Sequence, residues 1–149
     1  MVLIVDKAAL FAAIKSDDVK TIGNLIKLPG FSATENTFHK SSVHDLLPFQ
    51  WSYMHAAAYH NRPRILEMLL KAGADLEVRD KEHKGTPLGW AAYAGHVESV
   101  KFLLEKGADK NVKNKHGKMP VEVLPNPASE AWYGLLTEVT NADHDALKV

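Results

Sequence analysis

The chain of 149 residues contains no cysteine. That excludes a disulfide framework and thiolate metal sites, and it fits a reducing compartment, so a cytoplasmic location is expected. Charge of one sign is not in excess: 18 Lys and Arg face 18 Asp and Glu. Nothing directs the chain as a whole toward a polyanion, and nucleic acid is not an expected partner. No apolar run is long enough to cross a bilayer. The apolar residues 1–5 are followed at once by Asp6 and Lys7 and lack a basic leader, so a signal peptide is not expected. The Gly-x-Ser-x-Gly elbow, the phosphate loop and the dinucleotide glycine pattern are all missing, so neither catalysis nor a cofactor is expected. The length allows one domain with a substantial core.

What is present is one dense stretch, residues 85–109. Thr86 can cap a helix through its hydroxyl, and Pro87 suits the first helical position, where no N–H is needed. Leu88, Ala91 and Ala92 make a narrow apolar face. Gly95 can end that helix in the left-handed conformation. Val100, Leu103 and Leu104 give a second helix at three- and four-residue spacing, stopped by Gly107. Two such short helices are marginal alone and need stacked neighbours. The same marks recur earlier at a constant offset: Ser52, Met54, Ala57-Ala58, Leu69-Leu70 and Gly73-Ala74-Asp75.

Thr86, Pro87, Leu88, Ala91, Ala92, Gly95, His96, Val100, Leu103, Leu104, Gly107, Ala108, Asp109 and Asn111 stand in the places of the ankyrin repeat pattern, and the stretch closely resembles one such repeat. The resemblance implies an all-α solenoid of stacked helix-turn-helix units joined by hairpin-like fingers. A single domain over residues 1–149 is expected. It comprises a degenerate N-terminal repeat over about 5–28, an inserted loop over 29–49, repeats over 50–83 and 84–116, and a C-terminal cap over 117–140. In the first repeat Leu10, Ala13, Ile22 and Leu25-Ile26 fall on Leu88, Ala91, Val100 and Leu103-Leu104, while Lys15, Asp17, Asp18 and Lys20 make its outer face polar. Phe31, Phe38 and Phe49 of the inserted loop are expected to fold back over that repeat. In the cap, Pro125 and Pro127 end a first helix early, and a last helix is expected over 128–139 with Trp132, Leu135, Leu136 and Val139 on one face.

The eight histidines invite a metal reading. The resemblance gives His55 and His96 structural roles instead, His55 bonding near the helix start with Ser52 as partner. His39, His44, His83, His116 and His144 fall in loops or the tail without metal-site spacing, so no metal is expected. A hydrolase built in the inserted loop from His39, His44 and Asp45 is the alternative from a different class. Lys106, Lys110, Lys113, Lys115 and Lys118 make residues 106–118 basic, and a solvated loop is the expected reading because no aromatic is interleaved.

The resemblance also implies where a partner binds: the concave face, made of finger tips and the outward positions of the first helices. These are Tyr59 and His60, then Tyr93 and Ala94, with finger residues Arg79, Lys81, Glu82, Lys84, Lys113, Lys115, His116 and Lys118. Tyrosine suits such a surface by area, polar tip and few rotors. Trp90 and Trp132 are expected inside, and Trp51 is expected to be the exposed tryptophan and part of the site. Asn111 occupies the finger position where ankyrin repeats can be substrates of an asparaginyl hydroxylase. The chain is thus expected to be a monomeric, non-catalytic interaction module or adaptor for a protein partner. A regulatory subunit or effector acting on another enzyme is the alternative.

Overall fold

Side-chain caps decide where four of the six described α-helices start. The structure, a computed structural model, describes residues 5–33, 39–40, 50–126, 129–132 and 135–136. Asp6 accepts from the N–H groups of Ala8 and Ala9 and opens α1 (Lys7–Ser16). Asp18 accepts from the Thr21 N–H and opens α2 (Val19–Leu25). Ser52 caps α3 (Tyr53–Tyr59), and Pro63 stands in the first turn of α4 (Pro63–Lys71). Thr86 caps α5 (Pro87–Tyr93) by accepting from the Gly89 N–H at 3.1 Å, and α6 (Val97–Glu105) follows. Each cap satisfies an N–H that has no partner inside its helix.

The helices pair as α1 with α2, α3 with α4 and α5 with α6. The turn inside each pair passes through one left-handed residue at the same place in the pattern: Asp17 at φ 59°, Asn61 at φ 57° and Gly95 at φ 77°. Asp and Asn tolerate this conformation better than other side-chain-bearing residues. That is why the first two repeats close their turns without glycine. Successive pairs stack mainly through their first helices, α1 on α3 and α3 on α5. Ala57, Ala58, Ala91 and Ala92 are fully buried there and let the helices approach closely. Leu66, Leu69, Leu88, Val100 and Leu103 fill the space behind. Burying a side chain of this size stabilises by about 1.5–3 kcal/mol, so the stack holds together helices that are individually too short to persist. The architecture is an all-α solenoid.

The two ends depart from the central pattern. In the first repeat Leu10, Ala13 and Ile22 are buried, and Lys15, Asp17, Asp18 and Lys20 are exposed. Arg62 ties this repeat to the second: its Nε donates to the Ile14 carbonyl at 3.1 Å and its Nη2 to the Lys15 carbonyl at 2.6 Å. Phe31, expected over the first repeat, stacks its ring on Tyr53 of α3 in the second, with centroids 6.2 Å apart. Phe38 and Phe49 lie outside the described residues. Within the insertion His39–Lys40 (β1) pairs antiparallel with Gln50–Trp51 (β2).

At the C-terminal end the expected first helix is reduced to a 3-10 turn, Pro120–Val123. The expected helix over 128–139 is a 3-10 turn, Glu130–Trp132, in its described part. Residues 128, 133–134 and 137–139 lie outside the described residues. Trp132 and Leu136 are nevertheless buried, as expected of the cap.

Candidate partner-binding site

The fingers are tight turns rather than strand hairpins. In the first, the Asp80 N–H donates to the Gly85 carbonyl at 3.0 Å; in the second, the Asn114 N–H donates to the Lys118 carbonyl at 2.9 Å. Each turn contains one left-handed residue, Lys84 at φ 55° and Gly117 at φ 73°. The extra residue of the first finger sits between Asp80 and Lys84, where three residues replace the two of Lys115 and His116. The fingers are also fastened to each other. The Lys115 N–H donates to the His83 carbonyl at 2.8 Å. Arg79 donates from Nε to the Lys84 carbonyl at 2.9 Å and from Nη2 to the Lys113 carbonyl. Arg79 therefore holds two fingers together, which is a framework role rather than a free contact.

Asp80 is the knot of this region. It is fully buried, and its carboxylate accepts from the His83 N–H at 2.7 Å, the Gly85 N–H at 2.7 Å and the Trp90 indole N–H at 3.0 Å. Burial opposes ionisation, but these three donors outweigh it and hold the carboxyl below its usual range. Trp90 is pinned as a result. Its ring meets His83 edge-on at 5.4 Å, and Tyr93 lies 5.6 Å away. The sequence offered one signal for Asp80: it stands at the place that Asn114 takes one repeat later, before the left-handed residue of the turn.

His55 performs the structural role expected of it and extends it. Its Nδ1 accepts from the Ser52 N–H at 3.2 Å and lies 2.8 Å from the Ser52 hydroxyl. Its Nε2 lies 2.8 Å from the Gly85 carbonyl, which can only accept, so Nε2 carries the proton. One imidazole thus closes the cap of α3 and grips the finger of the next repeat. Burial holds its pKa down to about 4, so the ring is neutral.

Trp51 does not lie where the sequence placed it. It is only 8% exposed. Its ring packs 4.8 Å from Tyr59 and 5.3 Å from Trp90. The residue before the α3 cap points into the groove between the second and third repeats, and these neighbours take its apolar surface out of water. Tyr59 is half-buried by the same cluster, and burial pushes its hydroxyl upward. His60 is half-buried beside them, 5.3 Å from Tyr59. Trp51, Tyr59 and His60 thus fill their groove instead of lining an open one. Tyr93 is the large apolar side chain left open among the described residues, at 55% exposure.

Next to Tyr93 is a pocket of about 270 Å³ between the third repeat and the C-terminal cap. Trp90, Tyr93, Val112, Pro120 and Val123 make its apolar walls, and His83, His116 and Lys118 bring polar atoms to it. Its origin is a matter of two residues. Gly85 stands where Trp51 stands one repeat earlier, and Gly89 stands where His55 stands. Both glycines line the pocket. The side chains that close the preceding groove are missing here, so this one stays open. Gly89 also departs from the histidine of the Thr-Pro-Leu-His pattern, and that departure was the sequence signal for the pocket. Lys81, Glu82, Lys84, Lys113, Lys115, His116 and Lys118 are all exposed on the two finger tips around it.

Among the described residues no group of three or more His, Cys, Asp or Glu is placed to hold a metal ion. His44 and Asp45, named for the hydrolase alternative, lie outside the described residues, and His39 is described in its backbone only. His96 precedes α6, half-buried, without a side-chain cap bond. Asn111 is exposed, its N–H donating to Asp109 at 2.8 Å. No helix among the described residues is long and apolar enough to cross a membrane.

Comparison with known families agrees with the helix pairs, their caps and their fingers. A model for ankyrin repeats in three copies matches residues 10–114. Such repeats are generally protein-interaction modules. On this match, and on the stacked helix pairs that carry it, the chain belongs to the ankyrin repeat family.

Proposed function

We propose that the chain is a protein-interaction module that takes a partner on the face formed by the finger tips and the first helices, with the pocket beside Tyr93 as its anchor point. The carrying observation is the Tyr93 ring, 55% exposed at the mouth of an apolar pocket, while the other large apolar residues of the described core are covered. An exposed tyrosine above a preformed cavity offers contact area at little entropic cost. The finger tips stand on a framework braced by Arg79 and Asp80, so little ordering is left to be done on binding. No bond-making step and no cofactor is assigned to the chain, which acts as a monomer.

Site-directed photo-crosslinking in the native cell tests this. A benzophenone side chain at Tyr93 is expected to give a discrete partner adduct. The same group at Glu98, exposed on α6 and not part of the pocket lining, is expected to give none. Adducts from Glu98 with none from Tyr93 would move the binding face elsewhere. The double substitution of Tyr59 and Tyr93 is the poorer test, because Tyr59 packs on Trp51 and its loss disturbs the stack.

A further inference from the structure

We infer that the partner segment is acidic and inserts one large apolar side chain between the third repeat and the C-terminal cap. This rests on the interaction-module reading and specifies its partner. At about 270 Å³ the pocket has room for one or two side chains. Its walls are aromatic and aliphatic, so the inserted group is apolar.

The charge around the mouth selects what flanks that group. The two finger tips, residues 81–84 and 113–118, carry five lysines against the single carboxylate of Glu82. Of the other carboxylates beside it, Glu122 is exposed and accepts from the Met119 N–H at 2.7 Å, and Asp80 is buried and already accepts from three donors. An acidic segment meets complementary charge here, whereas a basic one meets like charge. The aromatic lining does not make a cation site for the same reason: Lys118 enters the pocket and no free carboxylate does. A single-stranded nucleic acid would also meet the lysines, but it needs open ring faces for stacking. Trp51 and Trp90 are 8% and 7% exposed, which leaves Tyr93 as the open aromatic ring among the described large hydrophobic residues.

The pocket can be closed by restoring what the preceding groove has. A Cβ on Gly89 would meet nothing nearer than the Thr86 hydroxyl at 3.5 Å, an ordinary contact. Gly89→His would place an imidazole where His55 stands one repeat earlier. The Lys118 carbonyl would be its partner, as Gly85 is for His55. The substitution also removes a glycine from a helix interior, so the protein is expected to gain stability while losing the pocket.

The test is fluorescence anisotropy of a labelled peptide with a central Leu-Phe pair flanked by Asp and Glu, titrated with the full chain. Saturable binding that weakens as salt rises is expected. Gly89→His should abolish it with a raised thermal midpoint, and the double reversal Lys115→Glu with Lys118→Glu should weaken it about tenfold or more with an unchanged midpoint. No binding of this peptide, or binding that both variants leave intact, overturns the proposal. So does equal binding when the flanks are lysine, or stronger binding of an oligothymidylate. If the peptide fails while a partner still crosslinks through Tyr93, the acidic-anchor proposal falls and the interaction-module reading stands. Crosslinking lost from Tyr93 and gained at Glu98 removes both.

Discussion

His55 makes the stability of this stack depend on pH, and the size of the effect follows from its surroundings. The ring is fully buried, with Nδ1 facing the Ser52 N–H and Nε2–H facing the Gly85 carbonyl. Protonation would put a second proton on Nδ1 against the Ser52 N–H, at a site shielded from solvent. Burial depresses the folded pKa to about 4 from 6.5. Between these values the unfolded chain binds the proton and the folded chain does not. The stabilisation is therefore complete above pH 6.5 and is lost as pH falls toward 4. At about 1.4 kcal/mol per pKa unit, the full span amounts to roughly 3 kcal/mol, of which about 2 kcal/mol is lost between pH 7 and pH 5. Against a total of about 5–15 kcal/mol for a domain, that is a large fraction.

Urea unfolding followed by tryptophan fluorescence measures it, since Trp51 and Trp90 lie in the repeats that His55 joins. With a urea slope of about 2 kcal/mol per molar, the midpoint should fall by about 1 M from pH 7 to pH 5. His55→Gln should be less stable than the parent at pH 7 and should lose most of that fall. Asp80 does not confuse the comparison. Its carboxyl is held below the usual range, so its contribution is present above pH 3.8 and is lost only as pH drops through the lower folded value. A parent midpoint flat from pH 7 to 5, or a His55→Gln variant with the parent's slope, would refute the neutral buried imidazole.

Two further substitutions probe the framework of the site. Gly85→Ala would set a Cβ 2.9 Å from the Trp90 indole nitrogen and 3.1 Å from the Asp80 carboxylate, both fixed and buried. It should destabilise by about 1–3 kcal/mol, read as a lower urea midpoint, and a midpoint equal to the parent's would contradict the close packing at the knot. Arg62→Lys cannot span the Ile14 and Lys15 carbonyls with one ammonium. It should cost about 1 kcal/mol, less than a fully buried charged bond because Arg62 is half-exposed. Hydrogen exchange in α1 should rise more than in α5, and equal protection in both would show that Arg62 does not hold the first repeat in place.

The repeating frame was legible because it is local. Ser52, Thr86, Pro87 and Gly95 each act within a few residues of their own position, and the caps and turns they signal are present. Asp17 and Asn61 show how the same turn survives without glycine, which sequence pattern alone does not mark. What was not legible lies between repeats. Arg62 reaches carbonyls 47 and 48 residues away, and Arg79 reaches one 34 residues away. Neither reach has a local signature. Trp51 was misplaced for the same reason: its exposure is set by Tyr59 and Trp90, not by its position before a cap. Of the residues expected at the binding face, Tyr93, His116 and Lys118 meet at one pocket, while Trp51, Tyr59 and His60 are spent on packing.

The pocket shows why comparing neighbouring copies says more about purpose than matching one copy to a pattern. In the second repeat Trp51 packs on Trp90 of α5 and His55 reaches the Gly85 carbonyl of the next finger, so the groove is full. At the matching places the third repeat has Gly85 and Gly89, so its groove stays open. Gly89 sits inside α5, where glycine is less favourable than alanine by about 0.5–1 kcal/mol, and it forgoes a bond to the next finger. The helix retains its cap, its Trp90 anchor and its buried alanines, so the loss falls on one spot rather than on the stack. If that weakness merely reflected a degenerate repeat, the walls around it would be loosely held. Instead Trp90 is fixed by Asp80, the two fingers are bonded to each other, and Lys118 lines the pocket. A local cost inside a braced frame is the arrangement expected of a surface kept open for a partner, and the gain in stability of Gly89→His at the expense of binding is its direct consequence.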